Sequence, residues 1–178
     1  MTLSVRRSVA ALAVGAALVL AGCAGPAGPN RAAVVDGEVI TETSLQTAQS
    51  EVNSMNPALL QAKLTPTGTL TALVQAPVVL TYLDGLGVRV SDSVARLDAQ
   101  KRGVANPADS TLEIIKLASA ISTAQGDGKL TDADAQVLTK QLQSLKIDVN
   151  PRYGTFNPQT ASIELTTPGW VKPLNAAQ

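Results

Sequence analysis

The stretch "LTALVQAPVVLTYLDG", residues 70–85, is the feature that most constrains how this chain can fold. Leu70, Leu73, Val74, Pro77, Val78 and Leu83 follow helical spacing, yet they are spread around much of the helix rather than along one stripe. A helix of that kind cannot leave one side to water and has to be covered from several directions. It is therefore expected at the centre of the core. Pro77 lacks a backbone N–H and predicts a kink there.

The flanking segments supply the cover. Leu45, Ala48, Val52 and Met55 recur at helical spacing from Ser44, with Thr41 or Thr43 as the capping residue and Asn56-Pro57 as the stop. A polar loop is expected through "KLTPTGT". Beyond the central helix, "DGLG" is a stop and Ser91 or Asp92 caps a third helix. In a fourth, Ile114, Leu117, Ala118 and Ile121 share a face until "GDG" breaks it, and Thr131 restarts a fifth with Leu138, Leu142 and Leu145 along one side.

The ends read differently. "AAVVDGEVIT" is two short apolar runs around Asp36-Gly37, a dipeptide suited to a type I′ hairpin. Strand-like pieces return only near the other end, in "IDV" and "ASIELTT". Because an isolated hairpin is marginal in water, the two ends are expected to pair with each other. The sequence thus predicts a mostly α domain of about five helices, with short terminal β-strands joining its N- and C-terminal segments. Between the late strands, "VNPRYGTFNP" holds Tyr153 and Phe156, half of the aromatic residues in the chain. Their rings are expected to cover the end of the core where the last strand returns beside "VVDGEVI".

Before the hairpin lies a secretory signal: Arg6 and Arg7, the apolar run "SVAALAVGAALVLA", then "LAGC". Leu20-Ala21-Gly22-Cys23 resembles the bacterial lipobox, which would make Cys23 the acylated first residue of the mature chain; an ordinary signal with an incidental cysteine is the alternative. The expected division is a signal peptide over 1–22, a lipidated cysteine with its tether over 23–32, and a single domain over 33–178. Cys23 is the only cysteine, so the fold has no intrachain disulfide. Two or three acyl chains would anchor it stably on the extracytoplasmic face of the membrane.

Removing residues 1–22 leaves 156 residues with a formal charge of −2, since Arg6 and Arg7 leave with the signal. The remaining Lys and Arg are scattered and aromatics are scarce, which argues against a nucleic-acid surface. The chain has no histidine. That excludes Ser-His-Asp and Cys-His catalysis and His-containing zinc sites. Asp127, Asp132, Asp134 and Glu113 are expected to cap helices or face solvent. "TAQGDGKLTDAD" matches a calcium loop poorly, with Thr123 and Gln125 where carboxylates belong and Asp134 in place of the final glutamate. A helix start with Thr131 and Asp134 is the simpler reading. No cofactor, metal or catalytic residue is expected, and the chain reads as a non-enzyme.

Two motifs carry a family likeness. "VVDGEVIT" with the helix after it, and then "LVQAPVVLTYLDGLGVRVSDSVARLD", resembles the N-terminal domain of SurA-like periplasmic and surface foldases. "VNPRYGTFNP" is similar to the closing segment of the actinobacterial lipoproteins of that group. The resemblance implies chaperone function. Such foldases often carry an inserted parvulin-type prolyl isomerase whose site includes histidines; here there are none, and the interval from Gly103 to Ile147 is shorter than the ~50 residues at which compact domains begin. The implied role is an ATP-independent holdase for unfolded secreted or envelope proteins, without isomerase activity. The alternative is an adaptor for one specific envelope protein. Met55, Leu59, Leu60 and Leu64 are the candidate client contacts, because they lie in or beside a loop with no obvious helix to complete; core packing, the commoner place for such residues, is the alternative. Exchange of the terminal strand would give a dimer.

Overall fold

A computed structural model describes residues 30–165. The signal peptide, Cys23, most of the tether and Trp170 lie outside the described residues. Strands β1 (Arg31–Val35) and β2 (Glu38–Thr41) are followed by helices α1 (Glu42–Ser54), α2 (Pro66–Gly85), α3 (Asp92–Lys101), α4 (Asp109–Gly126) and α5 (Asp132–Gln143), then by β3 (Ile147–Val149), β4 (Thr155–Asn157) and β5 (Ser162–Glu164). β1 begins at Arg31, inside the stretch 23–32 expected to be tether.

β1 and β2 form the expected hairpin, Val35 opposite Glu38, and Asp36 and Gly37 take φ of 48° and 95°, as a type I′ turn needs. β3 pairs antiparallel with the other edge of β1, Ala33 opposite Val149 and Val35 opposite Ile147. The two ends of the domain therefore meet in one three-stranded sheet of order β2-β1-β3. Asp36 fixes the register at one end, giving its N–H to the Lys146 carbonyl (2.9 Å) and taking the Lys146 N–H on its carboxylate (2.8 Å). Asn150 fixes the other, donating from its side chain to the Arg31 carbonyl (2.8 Å).

The last strand is a correction to the sequence reading. β5 does not return beside the hairpin; it pairs with β4 in a separate two-stranded sheet. What holds this sheet is α2. Thr67 donates to the Tyr153 carbonyl (3.2 Å), Thr71 accepts from the Ile163 N–H (3.1 Å), and Gln75 donates to the Ala161 carbonyl (2.7 Å). Residues spaced by four lie on one helix stripe, so a polar row on an otherwise apolar helix binds the backbone of the closing segment. Tyr153 is buried in the main core, as its position near the return suggested, and Phe156 packs against it half-buried.

α2 starts at Pro66 with Thr65 as its cap, so the helix takes up part of the expected polar loop. It runs unbroken through Pro77 to Gly85. Its first half joins a core with Leu45, Ile115, Ala95 and the sheet residues Ala32 and Ala33; its second half joins Leu117, Ala120 and Val88 in a second core. Ala72 touches both. On α4 the buried face is wider than expected, taking in Thr111, Leu112 and Ile115, while Ala118 and Ile121 are only half-buried. α4 has no capping side chain at Ala108. Glu51 of α1 takes that part, accepting from the Ala108 N–H (3.0 Å) and the Thr111 hydroxyl (2.5 Å), a carboxylate at the positive end of a helix.

Gly154 immediately precedes β4 and lies against the end of β5. Its φ is +118°, and a Cβ there would fall 2.1 Å from the Glu164 carbonyl oxygen. Gly154→Ala is therefore expected to destabilise the protein by roughly 2–4 kcal/mol through backbone strain and displacement of β5. Gly103→Ala, at φ +92° with nothing within 4 Å, carries the conformational strain without the collision and is expected to cost about 1–2 kcal/mol. Urea unfolding of both variants checks the ordering.

Candidate functional site

The loop after α1 is built to stay closed. Asn53 pairs with Leu64 in both directions, its amide donating to the carbonyl (2.9 Å) and its oxygen accepting from the N–H (2.7 Å), while Gln49 also donates to the Leu64 carbonyl (2.9 Å). Across the loop, the Arg102 guanidinium donates to the Pro57 and Ala58 carbonyls, each at 2.9 Å. Met55 corrects the sequence reading: at 5% exposure it belongs to the main core. The cause is periodicity, since Met55 extends the Leu45, Ala48 and Val52 stripe by one more turn. Leu59, Leu60 and Leu64 are half-buried against the same core. Met55, Leu59 and Leu60 border a depression of about 300 Å³, and Leu64 is not part of its lining.

A larger apolar groove, of about 510 Å³, lies beside the hairpin. α2 forms its floor with Leu73, Val74, Pro77 and Val78. One wall is Val35 and Ile40 of the hairpin, and the other is Leu145 just after α5. Asp36 and Glu38 from the hairpin, Thr81 from α2, and Gln141 and Ser144 from the α5 side supply the polar groups of the lining. Leu70, Leu73, Val74 and Leu83 are buried as expected, but Pro77 is exposed and Val78 half-buried, so these two lie at the bottom of an open trough rather than in the core. Beyond Leu145 a second depression of about 430 Å³ continues along Ile147, Val149 and Phe156.

The wall made by α5 is the lightest part of the helical layer, because Leu142 is the one residue α5 buries. Its start is fixed by electrostatics. Thr131 and Asp134 form the expected capping box, and the Tyr82 hydroxyl on α2 donates to the other Asp134 carboxylate oxygen (2.5 Å). Hydrogen bonds from the Thr131 hydroxyl first, then from Tyr82 and the Thr131 N–H, hold the Asp134 carboxyl down at about 2. The same carboxylate raises the Tyr82 hydroxyl above its ordinary value. Asp127 pairs loosely with Lys129 (3.9 Å) and Glu113 with Lys116 (2.6 Å). Among the described residues no group of three His, Cys, Asp or Glu is placed to hold a metal ion. Nor, among them, is any helix long and apolar enough to cross a membrane.

Comparison with protein-family models, with curated proteins and with solved structures gave no match. The functional reading therefore rests on the quoted motifs and on the groove. Its walls offer apolar contact with a few hydrogen-bonding and acidic groups at the side, which suits binding of an apolar chain. The sequence had marked Pro77 and Val78 as core. The signal that could have found the groove is the girth of α2: a helix apolar on all sides exposes whichever stripe its neighbours fail to reach.

Because the folded carboxyl at Asp134 lies below the ordinary value of about 3.9, its contribution is complete above that value and is lost as pH falls through about 2. The melting-temperature gap between the native protein and Asp134→Asn is expected to be full near neutral pH and to shrink between about pH 4 and pH 2. Thermal unfolding of the pair across that window measures it, and a gap that stays constant would contradict the assignment.

Proposed function

We propose that this chain is a lipid-anchored extracytoplasmic lipoprotein that acts as an ATP-independent holdase for unfolded secreted or envelope proteins, without prolyl isomerase activity. The observation that carries the reading is the open apolar groove on the central helix. A holdase needs accessible apolar surface of this kind and no chemical step. The motif likeness to SurA-like foldases points the same way, and the lack of any histidine in the chain favours a member without the isomerase. Acylation at Cys23 would place the groove close to the bilayer, since the short stretch from Cys23 to Asn30 reaches at most about 25 Å even when fully extended. Secreted chains emerge at that surface before they are folded.

The purified protein is expected to slow aggregation of several chemically unfolded clients, followed by light scattering, without ATP and at several-fold excess. Protection should persist as salt is raised, because apolar burial is not screened as ion pairs are. Isomerisation of short proline peptides, which takes tens of seconds uncatalysed, should not accelerate. Failure to protect diverse clients, together with stoichiometric capture of a single envelope protein, would replace the holdase by an adaptor.

A further inference from the structure

The groove is not electrically neutral. Among the described residues its lining includes two carboxylates, Asp36 and Glu38, both on the hairpin and both exposed, and no lysine or arginine. Asp36 is engaged, its carboxylate accepting the Lys146 N–H. Glu38 sits two residues further along the hairpin, opposite Val35 in register and beside the apolar floor. The floor itself is short of one hydrogen bond, because Pro77 has no N–H to give to the Leu73 carbonyl four residues earlier.

We infer that the groove selects apolar polypeptide segments that carry a basic residue, the apolar side chains lying on Leu73, Pro77 and Val78 and the cation against Glu38. This rests on the holdase reading of the same site and adds to it a rule for which segments bind. Charge complementarity decides the class of occupant: a cation beside the apolar block gains from the Glu38 carboxylate, whereas an acidic segment, or the anionic headgroup of a lipid, is repelled by it. The groove's size fits a few side chains at a time rather than a folded surface. Apolar contact provides the affinity, and the exposed carboxylate provides the discrimination.

The test uses two short fluorophore-labelled peptides of leucine, valine and serine, one bearing a single lysine and the other a glutamate in its place, titrated against the purified protein by fluorescence anisotropy. The lysine peptide is expected to bind about five-fold more tightly at low ionic strength, the scale of a solvent-exposed ion pair, and the two should converge as salt rises. Glu38→Lys, at the exposed first residue of β2, should reverse the preference. Val78→Ser should weaken both peptides alike. Equal binding of the two peptides to the native protein, or a preference unchanged in Glu38→Lys, would overturn the selection rule. Neither peptide binding while clients are still protected from aggregation would overturn the groove as the site and leave the holdase standing; loss of both would remove the holdase reading as well.

Discussion

A helix that is apolar over most of its girth has to be covered from several directions, and α2, which carries the polar row Thr67, Thr71 and Gln75, is that helix. α1 and the first half of α4 cover it on one side, the second half of α4 covers its far end, and the sheet and α5 approach from the rest. The closing segment takes the remaining edge through Thr67, Thr71 and Gln75. These three side chains pair with backbone groups of Tyr153, Ala161 and Ile163; a buried backbone group left without a partner costs about 1–3 kcal/mol. Pro77 and Val78 are where this cover is incomplete, and the groove opens over them.

Closure of the chain on itself follows from the same helix. Ala32 and Ala33 are small enough to bring β1 directly onto the core, with both residues almost wholly buried. β3 then adds to the free edge of β1, so that the first and last parts of the domain share one sheet, and an edge that could pair with another copy is occupied within the chain. Tyr153 and Ile163 complete the main core from the C-terminal side. The late segment is thus part of the core rather than an appendage, although it arrives last in sequence.

Local signals in the sequence were strong wherever one residue sets its own backbone. Asp36-Gly37 gives the hairpin, Thr41 and Ser91 cap their helices, and Thr131 with Asp134 forms its box. Signals failed where a partner far along the chain decides. Glu51 caps a helix 57 residues away, and nothing near Ala108 announces it. The polar row on α2 looks like ordinary helix surface until β5 is laid against it, and with no local rule to choose a partner for "ASIELTT", the hairpin β1-β2 was as plausible as β4. Met55 was legible in its spacing but was also given to the loop it adjoins. The groove was hidden for a related reason: periodicity marks which residues are apolar, while only packing shows which of them are left uncovered.

Under the proposed function one face of α2 serves structure and the face beside it binding, and this division is what has to be tested. A photo-crosslinking amino acid placed at Val78, on the groove floor, compares directly with one placed at Val94, an exposed apolar position on α3. Irradiated with an unfolded client, the protein is predicted to give client adducts from position 78 and few from position 94. Equal yields from the two positions would mean that clients meet any exposed apolar residue, and would contradict a groove on the central helix as the site.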